Sequence, residues 1–532
     1  MSDPGAIVIG VDIGTTSTKS VAYDVGGRAV AAQAVAYPLR EPRPGYAEQD
    51  PREIRTAVVQ TVASVAAQCG KQVRALSFSS AMHSLIGLDQ HGSPLTPVVT
   101  WADKRASAQA ERMRAAPGGL ALHRRTGTPL HPMAPLPKLV WFREEQPELA
   151  ARVRHWVGIK DYVLLELLGV LVTDHSLASA SGLMDIHLLQ WDPEALQLAG
   201  ISVDQLPELV PTTTVLPGLL AAAAQAMQLP ATTPVIVGAG DGPLANLGLG
   251  AIRPGVAACS IGTSGALRVM VEHPIVDSRG RSFCYALAEQ RRVVGGAINN
   301  GGLVLEWAGD ALAPELDNAR EDELLRQAST VPAGSGGLIM LPYLQGERAP
   351  HWSSFPCGAY IGLTREHRRP HLIRAALEGV CQQLALVLES VRAAGNEVRE
   401  IRATGGFARS ALWRQMLADV LGMPIGFPRG YEGSSFGAAL LGMDALGLVA
   451  SIDLAADRVR IQETLAPDPA AQQTYADLRP TFDQLYDALT PAFLALRRMS
   501  DSLPLEHPLD ALPATATDGD RVMPPPRPAA PR

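Results

Sequence analysis

Three apolar runs open the chain, AIVIGVD, KSVAYD and RAVAAQAVAY, and polar turns carrying glycine, GTTST and then GG, separate them. Strand-length apolar runs joined by turns this short predict antiparallel neighbours, so the first forty residues read as a three-stranded meander. The opening then recurs. VAACSIGTSGALRVMVE at 256–272 repeats strand, turn and strand, with Ile261-Gly262-Thr263-Ser264 standing where Ile13-Gly14-Thr15-Thr16 stood. Between the copies, helical segments around 51–68, 102–115, 137–168 and 218–228 alternate with short apolar strands such as VRALSFSSA and TPVIVGAG. Beyond the second copy, strands around 284–296 and 338–342 alternate with helices around 302–312, 370–394 and 410–421. Each half is therefore an α/β unit. Gly and Pro in LGLGAIRPGV set the division near 250–256, giving a first domain over 5–252 and a second over 256–450. A helix over 469–498 fills most of a helical extension at 451–500. The Pro-rich remainder, 501–532, is expected to be disordered.

Composition narrows the class. With 532 residues, 47% hydrophobic and 19% charged, the chain has enough apolar material for more than one core. A net charge of -7 offers nucleic acid no broad basic surface. The five cysteines form no CxxC pair and are odd in number, which points away from a disulfide framework or a zinc site and toward a reducing, cytoplasmic setting. No basic stretch precedes the apolar run Ala6 to Val11, and Asp12 ends it, so no export signal is expected. The weakly polar stretch Leu216 to Leu229 falls short of the roughly 20 apolar residues of a spanning helix, so no membrane partner is expected. The residues are compatible with a homodimer without requiring one.

The duplicated turn is where chemistry enters. Glycine lets the backbone turn tightly, and exposed amides with threonine hydroxyls can surround phosphate oxygens. One such turn alone is equally a hairpin with a polar tip. Two copies, one per half, can grip a nucleotide's phosphates from both sides of a cleft. Asp12, at the end of its strand, has the position to hold a hydrated Mg²⁺. Asp241 closes the strand PVIVGAG just before a helix, where α/β sheets place ligands; a helix N-cap is its alternative reading.

These blocks together resemble the FGGY family of carbohydrate kinases, within the actin and hexokinase-like superfamily. The resemblance covers about 5–450 and rests on VIGVDIGTTSTKSVAYD, VGAGDGPLANLG, CSIGTSGALRV and ATGGFARSALWRQMLADVLGMPI, together with MAPLPKLVWFREE and GAYIGLTREHRRPHLIRAALE. It implies two ribonuclease H-like α/β domains flanking an active-site cleft, with sugar held mainly by the first and ATP mainly by the second. By the same resemblance Asp241 is the catalytic base and Asp12 the metal-associated carboxylate. Thr15, Thr16, Gly262 and Thr263 match the phosphate loops, Gly405 and Gly406 match the glycine pair near the ATP phosphates and ribose, and Asn300 joins the ATP-contacting set.

Within the family the stretches SSAMHSLIGLD, TWADKRA, GTPLHPMAPLPKL, GAINNGG and LPYLQGERAPHW are most similar to those of members that phosphorylate gluconate. The implied substrate residues are Met82, His83, Trp101, Asp103 and Arg348. Three cations, Arg348, Arg105 and Lys138, remain open as readers of the substrate's acid group. The expected reaction is ATP- and Mg²⁺-dependent phosphorylation of D-gluconate at its 6-hydroxyl. Kinase action on xylulose or glycerol is the nearer alternative, and a non-catalytic sugar or nucleotide sensor is the alternative of another class.

Overall fold

The computed structural model describes residues 5–288, 290–316, 320–428 and 433–502. Two mixed sheets organise these residues. The first runs in the order Val215–Leu216, Val235–Gly240, Val73–Ser80, Ile7–Ile13, Ser17–Asp24, Ala29–Ala36. The second runs Phe283–Ala288, Arg291–Ile298, Gly265–Val271, Val256–Ile261, Glu400–Thr404, Ile425–Pro428, Ile461–Leu465. Both follow one plan. An antiparallel meander occupies one side, its first strand pairs in parallel with a later strand, that strand pairs in parallel with the next, and an antiparallel strand ends the sheet. The repeat seen in the turns is therefore a repeat of whole domains, as two ribonuclease H-like units require.

The strand Ile7–Ile13 is buried on both faces, and its alternation shows why. Ile9, Val11 and Ile13 pack with Val58, Val62 and Val65 of the helix Pro51–Cys69. Val8 points the other way, into a core that also contains Leu440 and Leu441 of the helix Gly433–Ala445. That helix follows a strand of the second sheet yet lies against the first: a side chain on Gly10 would come within 2.0 Å of Ser435 O. The helix Asp241–Gly248 makes the converse crossing, and Asn246 Nδ2 donates to Arg268 O in the second sheet at 3.3 Å. Where the two helices cross, any side chain on Gly437 would meet Leu244 O at 2.2 Å, and one on Gly248 would meet Gly433 O at 2.3 Å. Only glycine permits backbones to approach so closely.

One helical expectation changes. The segment 137–168 is divided into the helices Pro135–Glu145, Pro147–Arg152 and Ile159–Leu168, with the strand His155–Val157 between the last two. Pro147 starts a new helix after Gln146, and His155–Val157 finds a partner in Ile86–Leu88. In the extension, the helix runs from Pro469 to Ser502, and the strand Ile461–Leu465 before it joins the second sheet. Of the stretch 501–532 expected to be disordered, 501–502 end this helix and 503–532 lie outside the described residues. Among the described residues no helix is long and apolar enough to cross a membrane.

Candidate active site

Two carboxylates stand at the carboxyl ends of strands in the first sheet. Asp12 lies in register with Ser79 on the neighbouring parallel strand, and Asp241 follows the next parallel strand as the first residue of its helix. Strand ends of this kind are where α/β sheets leave a crevice. The cap position itself belongs to Gly240, while Asp241 Oδ1 accepts from the Gly242 N–H at 2.7 Å. Burial, and then the charge of Asp12, push the Asp241 carboxyl up to about 6, against the opposing pull of Arg268 and Arg348.

Asp12 receives a hydrogen bond on Oδ2 from Ser434 Oγ at 2.7 Å. Its other oxygen, Oδ1, is buried and has no partner among the described residues. Burial raises its pKa, with Ser79, Ser434 and Lys19 opposing. A buried, incompletely satisfied carboxylate oxygen fits a hydrated divalent cation, since Mg²⁺ takes few protein ligands and keeps most of its waters.

Asp241 opens into a cavity of about 260 Å³ whose wall includes Thr15, Met82, His83, Trp101, Arg268 and Arg348. Both domains contribute, and the two repeated turns meet there, the first through Thr15 and the second through Ser264. His83 adopts a left-handed backbone with φ of 69°, unusual for a residue with a side chain. Lys138 holds it so, its Nζ donating to the carbonyls of His83 at 2.7 Å, Thr100 at 2.7 Å and Val99 at 3.3 Å. The His83 ring contacts Ala180 O through Nδ1 at 2.7 Å. A carbonyl only accepts, so Nδ1 carries the proton. Burial, with help from Lys138 and Arg348, pushes the ring's pKa down to about 3, so Nε2 keeps a lone pair for a substrate hydroxyl. Trp101 donates from Nε1 to Thr15 Oγ1 at 2.9 Å and presents its face to the Arg348 guanidinium 4.8 Å away. Arg348 Nη2 donates to Ile298 O at 2.9 Å, while Nε is buried without a partner among the described residues. Burial lowers Arg348 to about 10, which leaves it charged at neutral pH.

Not every expected residue reaches the cavity. Asp103 accepts from Ala47 N at 2.7 Å and from Arg105 N, Nε and Nη2 at 3.0, 2.8 and 2.8 Å, so both of its oxygens are engaged in the fold. Arg105 also donates to Glu48 at 2.5 Å and stacks on Tyr46 at 4.0 Å. With Lys138 bound to three carbonyls, Arg348 alone of the three cations weighed from sequence faces the cavity. Asn300 is buried beneath the loop that precedes Arg348: Nδ2 donates to Gly346 O at 2.8 Å and to Glu347 Oε2 at 3.2 Å, and Oδ1 accepts from Gln345 N at 3.1 Å. It shapes the loop and does not line either cavity described here. Thr16 stands exposed at the tip of its turn.

A second cavity, of about 370 Å³, adjoins the second turn and is lined by Gly262, Thr263, Gly302, Glu306, Gly406 and Arg409, among others. Gly262 and Thr263 are exposed there. Gly405 lies under the turn with φ of 117°, and a side chain on it would come within 2.1 Å of Ile261 O. Glycine is thus obligatory at 405 by both conformation and space.

Sequence reasoning missed Arg268 and Tyr285. Arg268 shares the cavity with Asp241, and a side chain at Gly242 would meet its Nε at 3.5 Å. The signal was present as a lone charge inside the apolar strand GALRVMV. The Tyr285 hydroxyl is buried without a hydrogen-bond partner among the described residues, on a strand whose residues are mostly buried. Its ring stacks on Phe283 at 4.2 Å, and nothing local in the sequence marks it.

The chain matches the model of the FGGY family of carbohydrate kinases in both parts, the N-terminal domain over residues 7–248 and the C-terminal domain over 257–446. It is 42% identical over 505 residues to a gluconokinase of Bacillus licheniformis, covering 93% of this chain and 98% of that one. Among solved structures, it superposes on a gluconate kinase from Lactobacillus acidophilus with a TM-score of 0.87 at 35% identity, covering 92% of this chain and 99% of that one. A ligand-bound xylulose kinase from the same organism gives a TM-score of 0.88, also at 35% identity, with 92% of this chain and all of that one covered. Duplicated domains, the shared cavity between them and these likenesses agree: this chain belongs to the FGGY family of carbohydrate kinases.

Proposed function

We propose that this enzyme transfers the γ-phosphoryl group of ATP to the 6-hydroxyl of D-gluconate, giving 6-phosphogluconate and ADP. The observation that carries the choice of substrate is Arg348, a buried guanidinium in the cavity wall whose Nε has no partner among the described residues. A neutral polyol brings no charge to that guanidinium, whereas a sugar acid brings a carboxylate that can accept from its free Nε. Similarity to gluconokinases over nearly the whole chain supports the same reading.

Asp241 accepts the proton of the attacking hydroxyl. Its raised pKa, about 6, leaves it ionised at neutral pH yet closer to the working pH than an ordinary aspartate. Because phosphoryl transfer is loose, with little bond formation to the nucleophile, alignment counts for more than base strength. His83 Nε2, the Tyr285 hydroxyl and Arg348 hold the sugar, and the amide and hydroxyl of Thr263 hold phosphate oxygens. Asp12 would hold a hydrated Mg²⁺, which would supply screening of the phosphate charge. Closure of the domains about the crossing helices excludes water, the competing nucleophile.

The test is ATP-dependent phosphorylation measured across gluconate, xylulose, glycerol, ribulose and rhamnulose, with the site of phosphate attachment read by ³¹P NMR. Gluconate phosphorylated at C6 with the highest kcat/KM is expected. Phosphate on a different position, or no turnover of gluconate, rejects the proposal.

A further inference from the structure

The helix Pro469–Ser502 belongs to neither sheet, and no step above uses it. It runs along the loop that carries Arg348. The Tyr486 ring lies flat on His351, with centroids 3.4 Å apart and planes 7° from parallel. Phe482 and Phe493, on either side of Tyr486 in the same helix, are buried with Leu341, Tyr343 and Leu386, so the stack is anchored above and below.

The loop is a closed turn that needs such support. Glu347 and Ser353 exchange backbone hydrogen bonds at 2.8 and 3.0 Å, which encloses Arg348, His351 and Trp352 between them. Trp352 sits in the left-handed region at φ of 53°, a conformation that costs energy for a residue with a side chain and persists only where its surroundings impose it. Gln383 ties the turn from beneath, donating to Ala349 O at 2.9 Å while accepting from the Tyr343 hydroxyl at 3.2 Å. His351, half-buried and with its pKa pushed down to about 3 by lost hydration, meets Tyr486 as a neutral ring. On the other side, Arg114 of the first domain donates to Trp352 O.

We propose that Tyr486 is a positioning residue: through its stack on His351 it fixes the turn that aims Arg348 into the sugar cavity, so the C-terminal helix sets sugar affinity and leaves ATP binding untouched. This rests on the sugar site proposed above, but not on gluconate being the sugar. Tyr486→Leu keeps apolar volume and removes the ring. It should raise KM for the sugar by about five- to tenfold, the scale of one aromatic stack, with kcat and the KM for ATP held within about twofold. Tyr486→Phe retains the ring and loses only the hydroxyl's hydrogen bond with Ser353, so it should raise the sugar KM less than Tyr486→Leu does. His351→Leu should reproduce the rise, and the double variant Tyr486→Leu/His351→Leu should fall short of the product of the two single effects, because the stack is common to both while each ring also touches Tyr343.

An unchanged sugar KM in Tyr486→Leu, or additive effects in the double variant, overturns the proposal. If Tyr486→Leu fails to fold, His351→Leu alone decides: a wild-type sugar KM there is equally fatal. If the wild type prefers another polyol, the gluconate assignment falls, and KM is read with that polyol; the brace falls only if this KM does not move.

Discussion

In the first domain the turn after Ile7–Ile13 is held by side chains on several sides. Tyr37 donates to Gly14 O at 2.7 Å, Gln49 to Thr15 O at 2.5 Å and Trp101 to Thr15 Oγ1 at 2.9 Å. The equivalent turn of the second domain is tied through backbone: Gly262 N donates to Ser264 O at 2.8 Å, Gly301 N to Thr263 O at 3.0 Å and Gly302 N to Gly262 O at 2.6 Å. Its Gly262 and Thr263 are exposed to the larger cavity. One motif thus has two different surroundings. Where aromatic and amide side chains surround it, the turn becomes a wall of the cavity proposed to hold sugar; where they are absent, the Thr263 amide and hydroxyl stay available for the phosphate role proposed above. A repeated motif does not imply a repeated role, because the neighbours decide which of its polar atoms are already engaged.

The division can be attacked from the middle and from either side. Asp241→Asn serves neither turn, and should lower kcat by about a thousandfold, the range of general base catalysis, while calorimetry still detects binding of both sugar and ATP. Retained turnover removes Asp241 from the base role. Gly405→Ala should disable the second turn alone. Its methyl group must displace Ile261 O, 2.1 Å away, at φ of 117°, so ATP affinity should fall by roughly 30-fold, a cost of about 2 kcal/mol, with sugar binding retained.

The pH profile tests the environment of Asp241. A base works only when deprotonated, and burial raises this carboxyl to about 6, so kcat/KM should fall about tenfold per unit as pH drops below 6. An acid limb near 4 contradicts that environment. The smallest effects form a matched pair. Trp101→Phe loses the bond to Thr15 and should raise the sugar KM about fivefold, whereas Thr263→Ala should raise the ATP KM about threefold, each leaving the other constant unchanged. Crossed or shared effects would show that the turns do not divide the work.

Much of this architecture was legible from sequence because its signals are local. The meander of Ile7–Ala36 and its copy from Val256 carry strand patterning and glycine turns in consecutive residues. What failed was what depends on distant partners. The strand His155–Val157 hides among helical segments because its apolar residues fit either periodicity, and only pairing with Ile86–Leu88 makes it a strand. The crossing of Asp241–Gly248 with Gly433–Ala445 joins segments nearly two hundred positions apart. At the site, residue type and neighbourhood pointed to loops that line the cavity but not to the direction of each polar atom. Asp103 turns to Arg105, two residues along the chain, and Asn300 turns beneath Glu347, whereas Arg348 and His83 face the cavity. Arg268 was overlooked because a single charge in an apolar strand resembles an edge position until the opposing domain covers it.

The central claim is that the cavity reads an acid. It is tested most directly by the ratio of kcat/KM for D-gluconate to that for D-xylulose, measured in the wild type and in Arg348→Gln. Arg348 is buried, charged and stacked on Trp101 in the cavity wall, and a charged hydrogen bond to a carboxylate contributes roughly 1.5 to 3 kcal/mol. The account predicts a wild-type ratio well above one that falls by about tenfold or more in the variant, through gluconate alone. A wild-type ratio at or below one, or an equal loss on both substrates, contradicts it.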